Sequence, residues 1–112
     1  MAISGAERTR IWRTTNPTQA KARDRAQHYR ALYSLTIEEY DALYEAQNGA
    51  CAICLQPETT IRQGQPLRLA VDHDHATGAV RGLLCQRCNR LIGIIEVDER
   101  LLLAARAYLD AV

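Results

Sequence analysis

Two Cys-x-x-Cys pairs, Cys51-Ala52-Ile53-Cys54 and Cys85-Gln86-Arg87-Cys88, stand thirty residues apart in a chain of 112. Each pair can fold as a tight knuckle presenting two thiolates, and two knuckles together complete a tetrahedral zinc shell. The segment between them must then be a structure that returns the chain to its starting point. Buried apolar cysteines, disulfides and a redox dithiol are the other uses of four cysteines. Here one knuckle follows an expected helix stop and the other precedes an expected helix start, which favours metal ligation. Four sulfurs leave no open coordination position, so a zinc ion held this way is structural and adds folding free energy that a small core lacks. Any chemistry must lie elsewhere.

No run of about 18 apolar residues is present to span a bilayer, and the first residues lack the apolar stretch of a secretory signal. The expectation is a soluble, cytoplasmic chain with no membrane partner. Net charge is only +1, but its distribution is uneven. Residues 1–33 hold seven Lys and Arg (Arg8, Arg10, Arg13, Lys21, Arg23, Arg25, Arg30) against Glu7 and Asp24, a balance of +5. The remainder has seven basic against eleven acidic residues, a balance of −4. A basic arm on an acidic body suits a polyanion partner, because Lys and Arg displace counterions from phosphates; a solvated basic helix is the plainer reading.

Residues 1–15 show no clear period. Asn16-Pro17 then offers a helix start, with Asn as N-cap and Pro at the first helical position, and a helix is expected to about Tyr33. Its apolar stripe of Ala22, Ala26, Tyr29 and Tyr33 is thin, so this arm has no core of its own. Thr36-Ile37-Glu38-Glu39 has capping-box spacing, and the helix it opens should end at Asn48-Gly49. After the first knuckle, residues 57–66 read as a polar surface loop. From Leu67 the pattern alternates, with Leu67, Leu69 and Val71 on one side, and Ala79 to Leu84 can return as the partner strand of a hairpin. A helix beginning near the second knuckle should bury Cys88, Leu91, Ile92 and Ile95, leaving Asn89, Gly93 and Glu96 on a neighbouring face. Asp98 should cap a last helix whose Leu101, Ala105, Tyr108 and Leu109 pack back on the body.

At the turn end of that hairpin stands Asp72-His73-Asp74-His75. Alone it reads as a second zinc site, a turn cap or a catalytic centre. Asn89 supplies context, because it follows the last cysteine at the start of a zinc-fixed helix. If the hairpin packs across that helix, Asp72 and Asn89 offer a carboxylate and an amide oxygen to one hard cation, Mg2+ or Mn2+. His73 beside them could take a proton from water attacking phosphorus. In a regular strand Asp72 and His73 would point opposite ways, so regular pairing is expected to end at about Asp72.

The strings YSLTIEEYDALYEAQNGACAIC and LAVDHDHATGAVRGLLCQRCN together resemble the recombination endonuclease VII family, a branch of the HNH nucleases, over roughly residues 33–110. The resemblance implies an α+β fold: a small zinc-stabilised ββα-metal (HNH, His-Me finger) nuclease domain over residues 34–112, with flanking helices and a basic N-terminal helical arm over residues 1–33. It implies a DNA endonuclease in which Asp72 and Asn89 hold the catalytic Mg2+ or Mn2+, His73 is the general base, and Cys51, Cys54, Cys85 and Cys88 hold structural Zn2+. Asp74 and His75 match the second half of the motif, as an orienting residue and as a phosphate contact or auxiliary catalytic group. DNA is the implied partner, with Arg81, Arg13, Lys21, Arg23, Arg25 and Arg30 as candidate contacts. Arg81 has a second reading, as a strand arginine paired across the hairpin. The rival function is a zinc-containing nucleic-acid-binding module that performs no hydrolysis.

Two departures from the family stand out. Some relatives carry an acidic side chain one helical turn after the Asn, where this chain has Ile92; Glu96, two turns on, is expected to lie too far away to replace it. Junction-resolving members also dimerise through a sizeable C-terminal region, whereas this chain stops at Val112. Oligomeric state, a homodimer included, is not set by the sequence, nor is a phage or host origin.

Overall fold

The computed structural model describes residues 2–111, which form five helices and two small antiparallel hairpins. The chain divides into two compact units, Met1–Tyr40 and Asp41–Val112.

In the first unit, α1 (Gly5–Thr15) occupies a stretch in which no helix is expected from periodicity. Its signal is a cap rather than an apolar stripe: Ser4 Oγ accepts from Glu7 N at 3.1 Å, in a Ser-x-x-Glu pattern. Helix α2 (Pro17–Tyr33) has the expected bounds, with Pro17 in the first turn. Asn16, expected as its N-cap, makes no side-chain cap there; its Nδ2 instead donates to Trp12 O at 2.9 Å and closes α1. The two helices are tied by Arg13 Nη1 donating to Asp24 Oδ1 at 3.1 Å and by the Arg23 guanidinium 4.7 Å from the Trp12 ring centroid. Of the expected stripe only Tyr29 is buried, stacked on Tyr40 at 4.9 Å; Ala20 is buried and Ala22 is exposed.

Helix α3 (Ile37–Ala46) opens on the expected capping box, with Glu39 N donating to Thr36 Oγ1 at 3.1 Å and Thr36 N to Glu39 Oε1 at 3.2 Å. It stops where expected. Asn48 and Gly49 both take positive φ, 55° and 69°, and Gly49 N donates to Tyr44 O.

In the second unit, the stretch expected as a loop contains a short hairpin, β1 (Ile61–Arg62) and β2 (Gln65–Pro66). Gln63 and Gly64 between them have φ of 53° and 75°, the left-handed pair that a two-residue hairpin turn demands. The main hairpin joins β3 (Ala70–His73) to β4 (Val80–Leu84), starting three residues later than the alternation suggests. Leu69, Val71, Leu83 and Leu84 are buried and, with Cys51, Cys85 and Cys88, form the core of this unit. The Gln47 side chain fastens the turn after α3 to β4: Oε1 accepts from Leu83 N at 2.9 Å and Nε2 donates to Leu83 O at 2.9 Å. A Cβ on Gly82 would stand 3.3 Å from Gln47 Oε1, which accounts for glycine in this strand.

Helix α4 (Gln86–Val97) starts at Cys85, whose sulfur accepts from Cys88 N, and α5 (Glu99–Asp110) is capped by Asp98 as expected. Two burial expectations fail. In α4 only Cys88 is fully buried and Leu91 is 42% exposed; in α5, Leu101, Tyr108 and Leu109 are 49, 73 and 62% exposed rather than packed on the body. Leu101, Leu102 and Leu103 point to three sides of a helix, and all three stay exposed although α5 packs against α4.

Candidate functional site

The two knuckles meet. Cys51, Cys54, Cys85 and Cys88 are free thiols whose sulfurs lie within 4.8 Å of one another, and Cys54 Sγ is 3.8 Å from Cys85 Sγ. Sulfurs at the corners of a tetrahedron with Zn–S bonds of about 2.3 Å stand about 3.8 Å apart. The donor set therefore fits zinc and points to a structural site. Burial pushes the Cys51 thiol up, but N–H groups of Cys54, Cys85 and Ile53 outweigh burial and bring it down to about 6. Burial and the surrounding sulfurs push Cys88 up to about 12. Crowded thiols of this kind shed their last protons to a dication.

Two residues outside the expected set support the knuckles. Glu58 Oε2 accepts from Gln86 N at 2.6 Å, and Oε1 accepts from Thr60 N at 3.0 Å, so a loop carboxylate caps the start of α4. Burial raises the Glu58 carboxyl, but those N–H donors hold it below the usual range. The Arg87 guanidinium beside Cys54 is held more firmly protonated by that sulfur. Pro57-Glu58 carries no periodic signal, and its role depends on the fold closing around it.

The Asp72/His73 step is irregular. Asp72 faces Gly82, but His73 faces Val80, which leaves Arg81 as the extra residue on β4. Regular pairing thus ends at Asp72, as expected, and His73 pairs beyond a bulge. A bulge bends its own strand and re-aims the side chain it inserts, here Arg81. Arg81 turns back on β3: Nε donates to Asp72 Oδ2 at 2.8 Å and Nη2 to Asp72 Oδ1 at 2.9 Å. Nη2 also donates to Glu96 Oε1. The other Glu96 oxygen lies 3.4 Å from His75 Nε2, and the His75 and His73 rings pack edge to face at 4.7 Å. Asp72, Arg81, Glu96, His75 and His73 are therefore one connected network. Hydrogen bonds donated to Asp72 and Glu96 hold the Arg81 guanidinium more firmly protonated. The reading of Arg81 as a strand arginine paired across the hairpin is the one observed.

Beside this network is a cavity of about 330 Å³, with Asp72, Arg81 and Glu96 at its polar side and Ile92 and Ile95 among its apolar lining. Glu96, expected to lie too far along α4 to replace the acidic ligand of some relatives, meets the hairpin at Arg81. Two turns of helix place it about 10 Å beyond Asn89 on the same stripe, and a two-strand hairpin is long enough to meet it there. Asn89 sits exposed in the first turn of α4, outside this cavity, with its N–H bonded to Cys85 O at 2.9 Å. Asp74 Oδ1 accepts from Ala76 N at 2.8 Å and Thr77 N at 3.2 Å, closing the turn, and these donors lower its carboxyl from the usual value.

Among the arm's candidate contacts, Arg13 and Arg23 are engaged by Asp24 and Trp12. Lys21 and Arg30 are exposed and make no ion pair among the described residues. Arg25 is half-buried, and its Nε has no hydrogen-bond partner.

No described helix is long and apolar enough to cross a membrane. The model of the family described as recombination endonuclease VII matches residues 26–111. The Gene 59 protein of Mycobacterium phage D29 is 53% identical over 62 residues, covering 55% of this chain and 34% of the relative. The Gene 59 protein of Mycobacterium phage L5 is 50% identical over 60 residues, covering 54% and 34%. The chain thus spans about a third of the length of these curated relatives. No solved structure matches it.

Proposed function

The chain belongs to the recombination endonuclease VII family, and from that premise we propose that it is a divalent-metal-dependent endonuclease that hydrolyses DNA phosphodiester bonds, built on the ββα-metal (HNH) arrangement. The observation that carries this reading is the bulge at Asp72/His73, at one end of a hairpin whose other end joins α4 through the cysteine cluster. β3, β4 and α4 then serve as the two strands and helix of the metal-binding motif.

In this reading Asp72 and Asn89 hold one Mg2+ or Mn2+, and the hard oxygen chemistry of both side chains suits those ions. When bound, such a cation stabilises negative charge on the phosphorane-like transition state and its leaving oxygen. His73 takes the proton from the attacking water, and His75, in contact with its ring, orients it. Asp74 fixes the turn that carries His75 and follows His73. Hydrolysis leaves 5′-phosphate and 3′-hydroxyl ends. Cys51, Cys54, Cys85 and Cys88 would hold Zn2+, which would fix the hairpin to α4 and, with four sulfur ligands, would offer no position to substrate. The arm's exposed Lys21 and Arg30 track the DNA backbone without reading sequence.

The test is plasmid nicking in Mg2+ or Mn2+ by the wild type, His73→Ala and Asn89→Asp. His73→Ala should lose about 100-fold or more in rate, the contribution of a positioned general base. Asn89→Asp keeps an oxygen ligand and adds charge, so it should alter metal preference. Equal nicking by wild type and His73→Ala would remove His73 as the base. DNA binding without cleavage under every metal condition would establish the non-hydrolytic binding module instead.

A further inference from the structure

Arg81 is placed differently from an ordinary cross-strand arginine. It is the bulged residue of β4, and its one guanidinium joins two elements, taking both oxygens of Asp72 on β3 and one of Glu96 on α4. The Asp72 side chain is 14% exposed and that of Glu96 30%, whereas Arg81 is 40% exposed at the mouth of the cavity. Two half-buried carboxylates facing one cavity repel each other unless a cation stands between them. The third group on this pair, His75, is an exposed histidine at 3.4 Å from the far oxygen of Glu96, while Arg81 is charged at every ordinary pH. A carboxylate gripped by both prongs of a guanidinium presents its lone pairs to that fork and not to an incoming ion.

Resting on the reading that Asp72 holds the divalent ion, we infer that Arg81 is the resident counter-ion of that site. Its guanidinium holds the Asp72 carboxylate in place while no metal is bound. A divalent cation enters by displacing it from Asp72, and Glu96 keeps the released arginine beside the site, where it faces an anionic phosphate. Metal affinity is then an exchange affinity, the intrinsic affinity multiplied by the fraction of molecules in which Asp72 is free of Arg81. This device explains why the acidic residue of the site lies two helical turns from Asn89: Glu96 is spaced to hold Arg81.

The experiment uses the full, zinc-loaded chain and two readouts that do not involve cleavage. Mg2+ binding is measured by calorimetry on the wild type, Arg81→Lys and Asp72→Asn, and arginine Nε–H resonances of the wild type are followed by NMR during the same titration. Lysine keeps the charge but cannot form the fork, so Arg81→Lys should bind Mg2+ about tenfold more tightly. The Arg81 Nε–H resonance should move with the midpoint of the calorimetric curve. Mg2+ binding to the wild type that leaves this resonance in place, or equal or weaker binding by Arg81→Lys, overturns the exchange. Mg2+ binding by Asp72→Asn equal to the wild type overturns instead the placement of the metal on Asp72. The resonance is read on the unaltered chain, so the result stands whether or not a variant folds.

Discussion

Replacing Cys88 with alanine should unfold the second unit while leaving the helices of the arm in place. The sulfurs lie within 4.8 Å of one another, the Cys54–Cys85 separation of 3.8 Å equals the edge of a zinc–thiolate tetrahedron, and Cys88 is 5% exposed at the start of α4. Structural zinc contributes apparent binding free energy of about 10–16 kcal/mol at neutral pH. The apolar core it supports is small: Leu69, Val71, Leu83 and Leu84 are its fully buried aliphatic side chains among the described residues. Burying four such side chains is worth roughly 6–12 kcal/mol before any conformational entropy is subtracted. The core therefore cannot hold 72 residues in place without the ion. Metal analysis should find one tightly held zinc per wild-type chain. Circular dichroism should show that excess chelator, or Cys88→Ala, removes the cooperative thermal transition and part, not all, of the helix signal. A cooperative melt at the wild-type temperature in Cys88→Ala, with no zinc bound, would refute the reasoning and make the cysteines plain core residues.

Glu58→Ala should destabilise the same unit by about 1 kcal/mol at pH 7, a loss typical of a missing helix cap after allowance for solvent screening. The Glu58 carboxyl is held below its usual value in the folded chain, so its contribution is complete above about pH 4.5 and disappears as pH falls through the lowered value. Melts of wild type and Glu58→Ala should accordingly converge in acid, and a gap that widens there would refute the cap. In DNA binding, neutralising Lys21 and Arg30 together should reduce the salt slope by about 2, at roughly 0.9 for each phosphate that is no longer neutralised. Arg13→Gln should leave that slope unchanged and instead loosen α1 from α2, seen as reduced helicity, because Arg13 is engaged by Asp24.

The parts legible in the sequence are those written in local chemistry. The Thr36/Glu39 box, the Asn48-Gly49 stop, the Asp98 cap and the two knuckles each need only a few neighbouring residues to take effect, and each stands where expected. The features that were not foreseen are of two kinds. Helix α1 and the Gln63-Gly64 hairpin had local signals, a Ser-x-x-Glu cap and a turn glycine, that apolar periodicity does not register. Glu58, Gln47 and Glu96 had none. Their partners Gln86, Leu83 and Arg81 lie 28, 36 and 15 residues away, and nothing near any of them in sequence names the partner. The leucines of α5 mark a third limit, since an amphipathic pattern shows which face is apolar and not what covers it.

The bulge ties these features into one site. Alternation along β3 would send Asp72 and His73 to opposite faces, so a regular hairpin cannot bring a carboxylate and an imidazole to one reaction centre. One extra residue on β4, Arg81, shifts the register at that step, from Asp72 opposite Gly82 to His73 opposite Val80. Such an insertion opens the ladder and tends to slide, and the register must be held from outside it. On one side Gln47 grips Leu83 through both its amide and its carbonyl, and on the other Asp74 closes the turn with two backbone N–H groups. Between these two anchors the bulged residue is an arginine rather than the glycine common at bulges, and its side chain takes over the job of holding Asp72. The irregular residue is thus fixed by the carboxylate across the ladder, which makes Arg81 and Asp72 a single structural unit.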